Sequence, residues 1–354
     1  MDEKKYSLIQ ILRGFAAIFV MLYHASRHYQ VKNLVFLNNF FQNGYFGVDI
    51  FFVLSGFVIY YSSQKYLENG NCIEFLKKRI IRIYPSFWLF LLFPLTLVFF
   101  LLPQFIADKS AFEPINYLKV FFLVFDHQQI SQISWTLSFE LYFYLLFFLM
   151  IFNRNFKYLI LLILILATIN LIDENLFSDI YSTKYLFSPL ILEFFLGVLI
   201  FYIVSKINKN YILGFCVLFV VSIISFVFIN YLSSNNIIYI TKHNRVLNFG
   251  LASFLLILSL VLIEKFNTIK SFKILILIGD ASYVLYLIHS IILSLFDNKF
   301  ILSGKFIVLN NQLTTILVCC FIVTLSVFLH LIIEKPMLKY LNKFLFKRQL
   351  NSIK

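Results

Sequence analysis

The stretch YILGFCVLFVVSIISFVFINY, residues 211–231, contains no charged side chain and is almost entirely apolar. Roughly 20 consecutive apolar residues form a helix long enough to cross the hydrocarbon core of a bilayer. A helix also satisfies its backbone hydrogen bonds within its own segment, as lipid requires. The stretch therefore predicts a transmembrane helix.

Nine further segments share this apolar character, at roughly 8–28, 45–62, 81–102, 134–152, 157–172, 185–204, 247–264, 274–296 and 312–333. Spans of this number and length use over half of the chain and leave only short connections. We therefore predict an all-α membrane protein, a polytopic bundle of about ten transmembrane helices. The prediction is a single domain over residues 1–354, with spans at about 8–333, a basic cytoplasmic tail at 334–354 and no appended soluble domain.

The composition excludes an ordinary soluble protein. Of the 354 residues, 61% are hydrophobic and only 13% are charged, whereas soluble domains carry about 25% charged residues. The four cysteines, Cys72, Cys216, Cys319 and Cys320, follow no pairing or metal-ligand spacing. We therefore expect neither a disulfide framework nor a metal site.

The net charge of +13 is distributed as a membrane-insertion signal. Placing both termini in the cytoplasm puts most Lys and Arg residues on the inner side, as the positive-inside rule requires. We therefore expect the lipid bilayer, and not nucleic acid, to be the partner of this charge.

The run Lys77-Lys78-Arg79, followed by Arg82, allows two interpretations. It either anchors the chain to anionic lipid or docks a cytosolic polyanion that carries phosphates.

Arg13 and His24 are ionisable residues within the first span, where such residues are costly and commonly functional. Eleven steps of 100° return to nearly the same direction, so both side chains lie on one helix face, about 16 Å apart along the axis. A linear ligand that enters from the inner side could contact both. Taken singly, Arg13 could instead reach the inner headgroups, and His24 could be a buried imidazole bound by a neighbour.

Two carboxylates are candidates for orienting His24. Asp49, near the outer end of the second span, is expected at the depth of His24, although it could instead interact with the helix dipole. Glu140 lies too deep in the fourth span to be an ordinary surface residue. Trp135 precedes it and is also typical of an interfacial aromatic belt.

The ninth span places Ser282, Tyr286 and His289 on one helix face through their three- and four-residue spacing. Glu193, in the sixth span, is equally deep but isolated, so a structural pairing is as good an explanation as a functional one. His330 and the sequence Glu334-Lys335-Pro336 end the tenth span, where a helix stop is a sufficient explanation.

Seven sequence pieces, in order from residue 8 to about 340, resemble the acyltransferase family 3 proteins. These are bacterial integral-membrane O-acyltransferases that include O-antigen and nodulation-factor acetylases. The pieces are Leu12-Arg13-Gly14 with His24, Gly47-Val-Asp49 through Ser55-Gly56, Arg79-Ile-Ile-Arg82-Ile-Tyr84-Pro85, Trp135 through Glu140, Glu193 through Gly197, Asp280-Ala-Ser282-Tyr283 with His289, and Glu334-Lys-Pro336. The chain departs from the family at Ser188-Pro189, where many members carry an arginine.

The resemblance implies transfer of an acyl group, usually acetyl, from cytoplasmic acyl-CoA to a hydroxyl of an envelope or exported glycan, at the bacterial inner membrane. Acetyl-CoA would be a co-substrate, with no permanently bound cofactor, and the acceptor would be a glycan or lipid-linked saccharide. His24 would act as general base, oriented by Asp49 or Glu140. The remaining predicted site residues would hold the donor phosphates, namely Arg13, Arg79 and Arg82, or contact substrate, namely Trp135, Ser282, Tyr286 and His289.

Two other classes of protein carry buried ionisable residues on a bundle of this kind. A proton-coupled transporter or lipid-linked sugar exporter would show them too, but usually at matching positions in two halves of the chain. No such recurrence is evident in this sequence. A structural or sensory membrane protein would leave the shared face of Arg13 and His24 unexplained.

Overall fold

The computed structural model describes residues 6–28, 41–101, 109–125, 133–173, 177, 185–241, 243–269, 272–296 and 312–346. Over these ranges the regular structure is entirely helical, and they contain no β-strand. The predicted fold class, an all-α polytopic membrane protein, is therefore confirmed.

All ten predicted apolar segments are helical. The helices are α1 (Ser7–His28), α2 (Phe46–Asn69), α3 (Cys72–Leu101), α4 (Pro114–Phe121), α5 (Ser134–Phe152), α6 (Phe156–Ile172), α7 (Ile191–Lys206), α8 (Ile212–Ser234), α9 (Val246–Phe266), α10 (Lys273–Asp280), α11 (Ser282–Phe296), α12 (Gln312–Leu329) and α13 (Lys335–Phe346). Within the described ranges, seven helical stretches are long and apolar enough to cross a membrane. The bent pair α10–α11 makes an eighth if it is counted as one span, while α6 and α7 are shorter, with 17 and 16 residues.

The predicted helix stop at Glu334-Lys335-Pro336 is wrong. The chain passes from α12 through a π-helical turn, His330–Glu334, directly into α13, so the helix continues to residue 346. A proline inside an α-helix lacks an N–H and collides with the carbonyl four residues before it. The wider π turn just before Pro336 changes the local hydrogen-bonding pattern, which explains why the helix does not end there.

Glycines bring α2 and α7 into close contact. A Cβ atom on Gly56 would overlap the backbone carbonyl of Phe194, and one on Gly197 would overlap the carbonyl of Val53. Close backbone approach of this kind is a main source of helix association in membranes. Gly56 and Gly197 therefore permit the close packing of α2 on α7.

Two consecutive residues near the end of α9 anchor the ends of other helices. The Glu264 carboxylate accepts the Ser7 N–H at 2.5 Å, the Ser7 hydroxyl at 2.6 Å and the Leu8 N–H at 2.8 Å. It thereby caps the N-terminus of α1. The Lys265 ammonium donates to the carbonyls of Val204 and Ile207, both at 2.7 Å, and so caps the C-terminus of α7.

The predicted ninth span is broken. Helices α10 and α11 meet at Ala281 and are bent by 64° relative to each other. At this bend Gly279 lies against the backbone of Gln10, so α10 packs closely on α1. Ser282, the first residue of α11, is fully buried.

Candidate functional site

Two cavities lie along the face of α1 that carries Arg13 and His24. The first, called the Arg13 cavity, has a volume of about 330 Å³, and the second, called the His24 cavity, has about 460 Å³. Both volumes are in the range of sites that bind small molecules. Because Arg13 and His24 are eleven residues apart on one helix, the two cavities occupy different depths of the bundle.

The Arg13 cavity has a mainly basic charged lining. Its lining includes four cationic residues, Arg13, Lys78, Arg79 and Arg82, and one carboxylate, Glu140. Two of the cations are held in place. Arg79 donates to the Ser62 hydroxyl at 2.7 Å, while the Lys78 ammonium pairs with Glu74 at 2.8 Å. The excess of positive charge matches a ligand with several negative charges.

Aromatic rings support these cations. The Arg79 guanidinium lies over the rings of Phe75 and Tyr144, at 5.2 and 5.7 Å from their centroids, and that of Arg82 lies 5.6 Å from the Tyr283 centroid. A cation–π contact holds a guanidinium over a ring without using its hydrogen-bond donors. Donors therefore remain for a ligand.

The His24 cavity has a different character. Among the described residues that line it there is no carboxylate, and the lining combines aromatic rings and neutral polar groups with His24, Arg27 and Arg245. These aromatic and neutral residues include Tyr23, Gln42, Asn43, Tyr45, Trp135, Asn236, Tyr239 and Thr241. Such a surface suits a neutral or anionic polyhydroxylated ligand.

Two histidines meet at the inner wall of this cavity. His24 is 8% exposed and His289 is fully buried, and their ring centroids are 5.2 Å apart. His289 is fixed in turn by the Leu285 carbonyl, 3.2 Å from its Nδ1, and by the ring of Tyr286 at 5.7 Å. The face of α11 that carries His289 therefore contacts the face of α1 that carries His24.

The two cavities meet at Val48 and Tyr286, which line both of them. The Tyr286 hydroxyl and that of Thr136 are 2.8 Å apart, and the Thr136 hydroxyl also donates to the Ile133 carbonyl. This bond connects α11 to α5 and sets the position of the phenol ring at the junction.

Asp49 has a different partner from the one predicted. Its two carboxylate oxygens accept Arg245 Nε at 2.8 Å and an Arg245 terminal nitrogen at 2.5 Å. Both side chains are buried. A bidentate pair with a planar guanidinium is a strong match for a carboxylate, so the structure assigns Asp49 to Arg245 and not to orienting His24.

Glu193 lies beside this ion pair and is fully buried. Neither of its carboxylate oxygens has a hydrogen-bond partner within the described part of the chain, and a Cβ atom added to Gly250 would lie 3.0 Å from its Oε1. Glu193 thus lies with Asp49 and Arg245 in a buried group that joins α2, α7 and the start of α9.

The comparison with known families agrees with this architecture. The family described as an acyltransferase domain, acyltransferase family 3, matches residues 7–331. The chain belongs to this family. A curated relative, protein 2 in the picA locus of Rhizobium radiobacter, is 34% identical over 86 residues, which cover 24% of this chain and 41% of that protein. The chain thus matches less than half of the length of this relative. No solved structure matches the chain significantly.

The structure divides the predicted residues of this family member between the two cavities. The Arg13 cavity contains Arg13, Arg79, Arg82, Glu140, Ser282 and Tyr286, and the His24 cavity contains His24, Trp135 and again Tyr286, with His289 against His24. Glu140 therefore lies on the side of the cations, where it accepts the Tyr144 hydroxyl at 2.5 Å, and its role of orienting His24 stays a prediction.

Two buried groups of this acyltransferase family member were not predicted from the sequence. Arg245 immediately precedes α9 and resembles an ordinary loop cation, because its partner Asp49 is 196 residues away. His330 and Glu334 were explained by a helix stop, but they form a buried pair at 2.6 Å, with the Ser86 hydroxyl donating to Glu334 at 3.2 Å. Their spacing of four residues on one helix face was the available signal.

Proposed function

We propose that the chain is a membrane O-acyltransferase that moves an acyl group, most simply acetyl, from acyl-CoA to a hydroxyl of a cell-envelope glycan. Family membership supports acyl transfer. The proposed substrates rest on one observation. The basic Arg13 cavity meets the His24 cavity at Val48 and Tyr286. A donor and an acceptor bound in separate cavities would meet at this junction.

The Arg13 cavity is the proposed donor site. Coenzyme A carries a diphosphate and a further phosphate, and Arg13, Arg79 and Arg82 supply guanidinium groups for them. The thin pantetheine arm would then extend along α1 toward His24. The separation of Arg13 and His24, about 16 Å along the axis, provides room for an extended arm between phosphate and thioester.

The His24 cavity is the proposed acceptor site. Aromatic rings such as Tyr23, Tyr45 and Trp135 can pack against the apolar faces of sugar rings, while amide side chains bind hydroxyl groups. With both termini in the cytoplasm, this cavity faces the outside of the bacterial inner membrane. A glycan or lipid-linked saccharide would therefore bind from the outer side, and acyl-CoA from the cytoplasm.

The proposed reaction needs no cofactor, because a thioester is already activated. The acceptor hydroxyl oxygen attacks the thioester carbonyl carbon while the His24 imidazole takes the hydroxyl proton. The C–S bond then breaks, and the coenzyme leaves as a thiol after receiving that proton. The ring of His289, packed against His24, restricts the orientation of the base.

The test is acetyl transfer by the purified protein in lipid nanodiscs. Radiolabelled acetyl-CoA is supplied with a glycan and lipid extract from the membranes of the expressing cells. We expect label in the glycan fraction with the wild type, and a reduction of about 10²–10⁴-fold in His24→Ala. His243→Ala is the matched control, since this histidine lines neither cavity. Absence of transfer with every acyl-CoA, together with binding of a lipid-linked sugar, would instead identify a transporter.

A further inference from the structure

The bend between α10 and α11 exposes a helix N-terminus within the bundle. Helix α11 has 15 residues and begins at Ser282, immediately after the 64° bend at Ala281. Ser282 is fully buried and lines the Arg13 cavity. The start of this helix is therefore part of the wall of the proposed donor site.

The Ser282 hydroxyl has no hydrogen-bond partner within the described part of the chain. A serine in a helix usually donates to a backbone carbonyl one turn earlier, as Ser62 does to Val58 at 2.7 Å. At Ser282, which follows a 64° bend, no such bond forms. A buried hydroxyl that lines a cavity and lacks a partner requires one from a ligand.

The backbone adds further donors at the same place. The first N–H groups of a helix have no acceptor inside the helix. Leu285 N–H donates to the Ala281 carbonyl at 3.0 Å, so the regular bonding pattern begins only there. Ala281 precedes the helix and has no side-chain oxygen, so its side chain cannot supply the usual N-cap acceptor. The N–H groups of the first turn and the Ser282 hydroxyl thus form one donor-rich site.

We propose that this site binds an amide carbonyl oxygen of the pantetheine arm of the acyl donor, an inference that rests on the proposed function. Ser282 precedes Tyr286, the junction residue, by one helical turn, which is about 6 Å. It therefore lies one turn from the junction, where the thioester would react, in the wall of the cavity that also contains the cations for the phosphates.

A neutral carbonyl fits this position better than a phosphate. Asp280 is half-buried only two residues before Ser282, and its carboxylate disfavours a second anion beside it. The phosphates already have the cations Arg13, Arg79 and Arg82. The site thus requires an acceptor that carries no full charge, and the two amides of pantetheine supply such oxygens.

The experiment compares two donors that differ in their phosphates. Binding of acetyl-CoA and of S-acetylpantetheine is measured by calorimetry in nanodiscs for the wild type, Ser282→Ala and Ser253→Ala. The control residue Ser253 is equally buried and without a hydrogen-bond partner among the described residues, but it lines neither cavity. We expect Ser282→Ala to weaken both donors by about 5–10-fold, the effect of one hydrogen bond, and Ser253→Ala to leave both unchanged.

Each contrary result has a distinct meaning. A loss in Ser282→Ala that is confined to acetyl-CoA would show a phosphate site and overturn the proposal, as would equal binding by the two serine variants. Acetyl-CoA binding without transfer by the wild type would contradict the proposed function while the binding comparison still decides the role of Ser282. Failure of the wild type to bind either donor would overturn both. Melting curves of all three proteins confirm that the variants are folded.

Discussion

Removing the Arg245 side chain is expected to destabilise the protein strongly. Arg245 makes two charged hydrogen bonds to Asp49, which is completely buried, and Glu193 lies beside them. In Arg245→Ala the Asp49 charge would remain in a low-dielectric environment with no counter-ion. Breaking a buried ion pair in this way costs about 3–5 kcal/mol, because one charge is left uncompensated.

The assay is thermal denaturation in nanodiscs, followed by the fluorescence of Trp88 and Trp135. Arg27→Ala is the matched control, because Arg27 lines the His24 cavity, as Arg245 does, but is exposed. Its loss should change the free energy of unfolding by no more than about 0.5 kcal/mol. A melting temperature of Arg245→Ala equal to that of Arg27→Ala would refute the account of the ion pair.

A double variant separates the effect of lost packing from the effect of lost charge. Replacing both partners, Arg245→Met with Asp49→Leu, removes the charges together and should recover most of the stability lost in Arg245→Ala. A variant of Asp49 alone tests the prediction that Asp49 orients His24. If Asp49 oriented His24, Asp49→Asn would abolish acyl transfer with unchanged stability. The ion pair predicts a loss of stability instead.

Three further predictions follow from contacts elsewhere in the bundle. Glu264→Ala removes the three bonds that cap α1 and should lower the free energy of unfolding by about 2 kcal/mol, with a smaller loss in Glu264→Gln, both measured by chemical denaturation. Gly56→Leu should prevent the contact of α2 with α7 and reduce the yield of folded protein in size-exclusion chromatography. Gly70→Leu is the control, because a side chain there meets open space. Although Gly70 has a positive φ, this variant should give more folded protein than Gly56→Leu. Arg82→Ala should raise the KM for acetyl-CoA by about 10-fold or more and leave that for S-acetylpantetheine unchanged; an equal rise for both donors would contradict its role in phosphate binding.

Much of the fold could be predicted because bilayer spans are recognisable locally. The fourth predicted span, 134–152, coincides with α5, and the shared face of Arg13 and His24 follows from helix geometry alone. The bend at Ala281 could not be predicted in this way. The sequence from 274 to 296 is apolar on both sides of the bend, so its hydropathy is that of one continuous span.

The pairing of buried charges depends on which helices become neighbours, and a single sequence does not contain that information. Asp49 and Glu140 were both assigned to His24 because all three occur deep in the membrane. Depth restricts a residue to a layer of the bundle, but it does not determine the direction of the side chain around the helix axis relative to other helices. Packing of α2 against α7 and α9 turns Asp49 toward Arg245, while Glu140 on α5 faces the cations.

The arrangement of charge favours group transfer over transport. A carrier that works by alternating access binds its substrate at one central site, which opens to each side in turn. In this chain the cations and the histidine lie at different depths, and the Tyr286 ring, bonded to Thr136, stands between the two cavities. A bulky polar solute would have to displace that ring to pass. An acyl thioester on a thin arm only needs to reach the ring from one side, where a hydroxyl from the other side can attack it, so the proposed transfer requires no pathway for a solute through the junction.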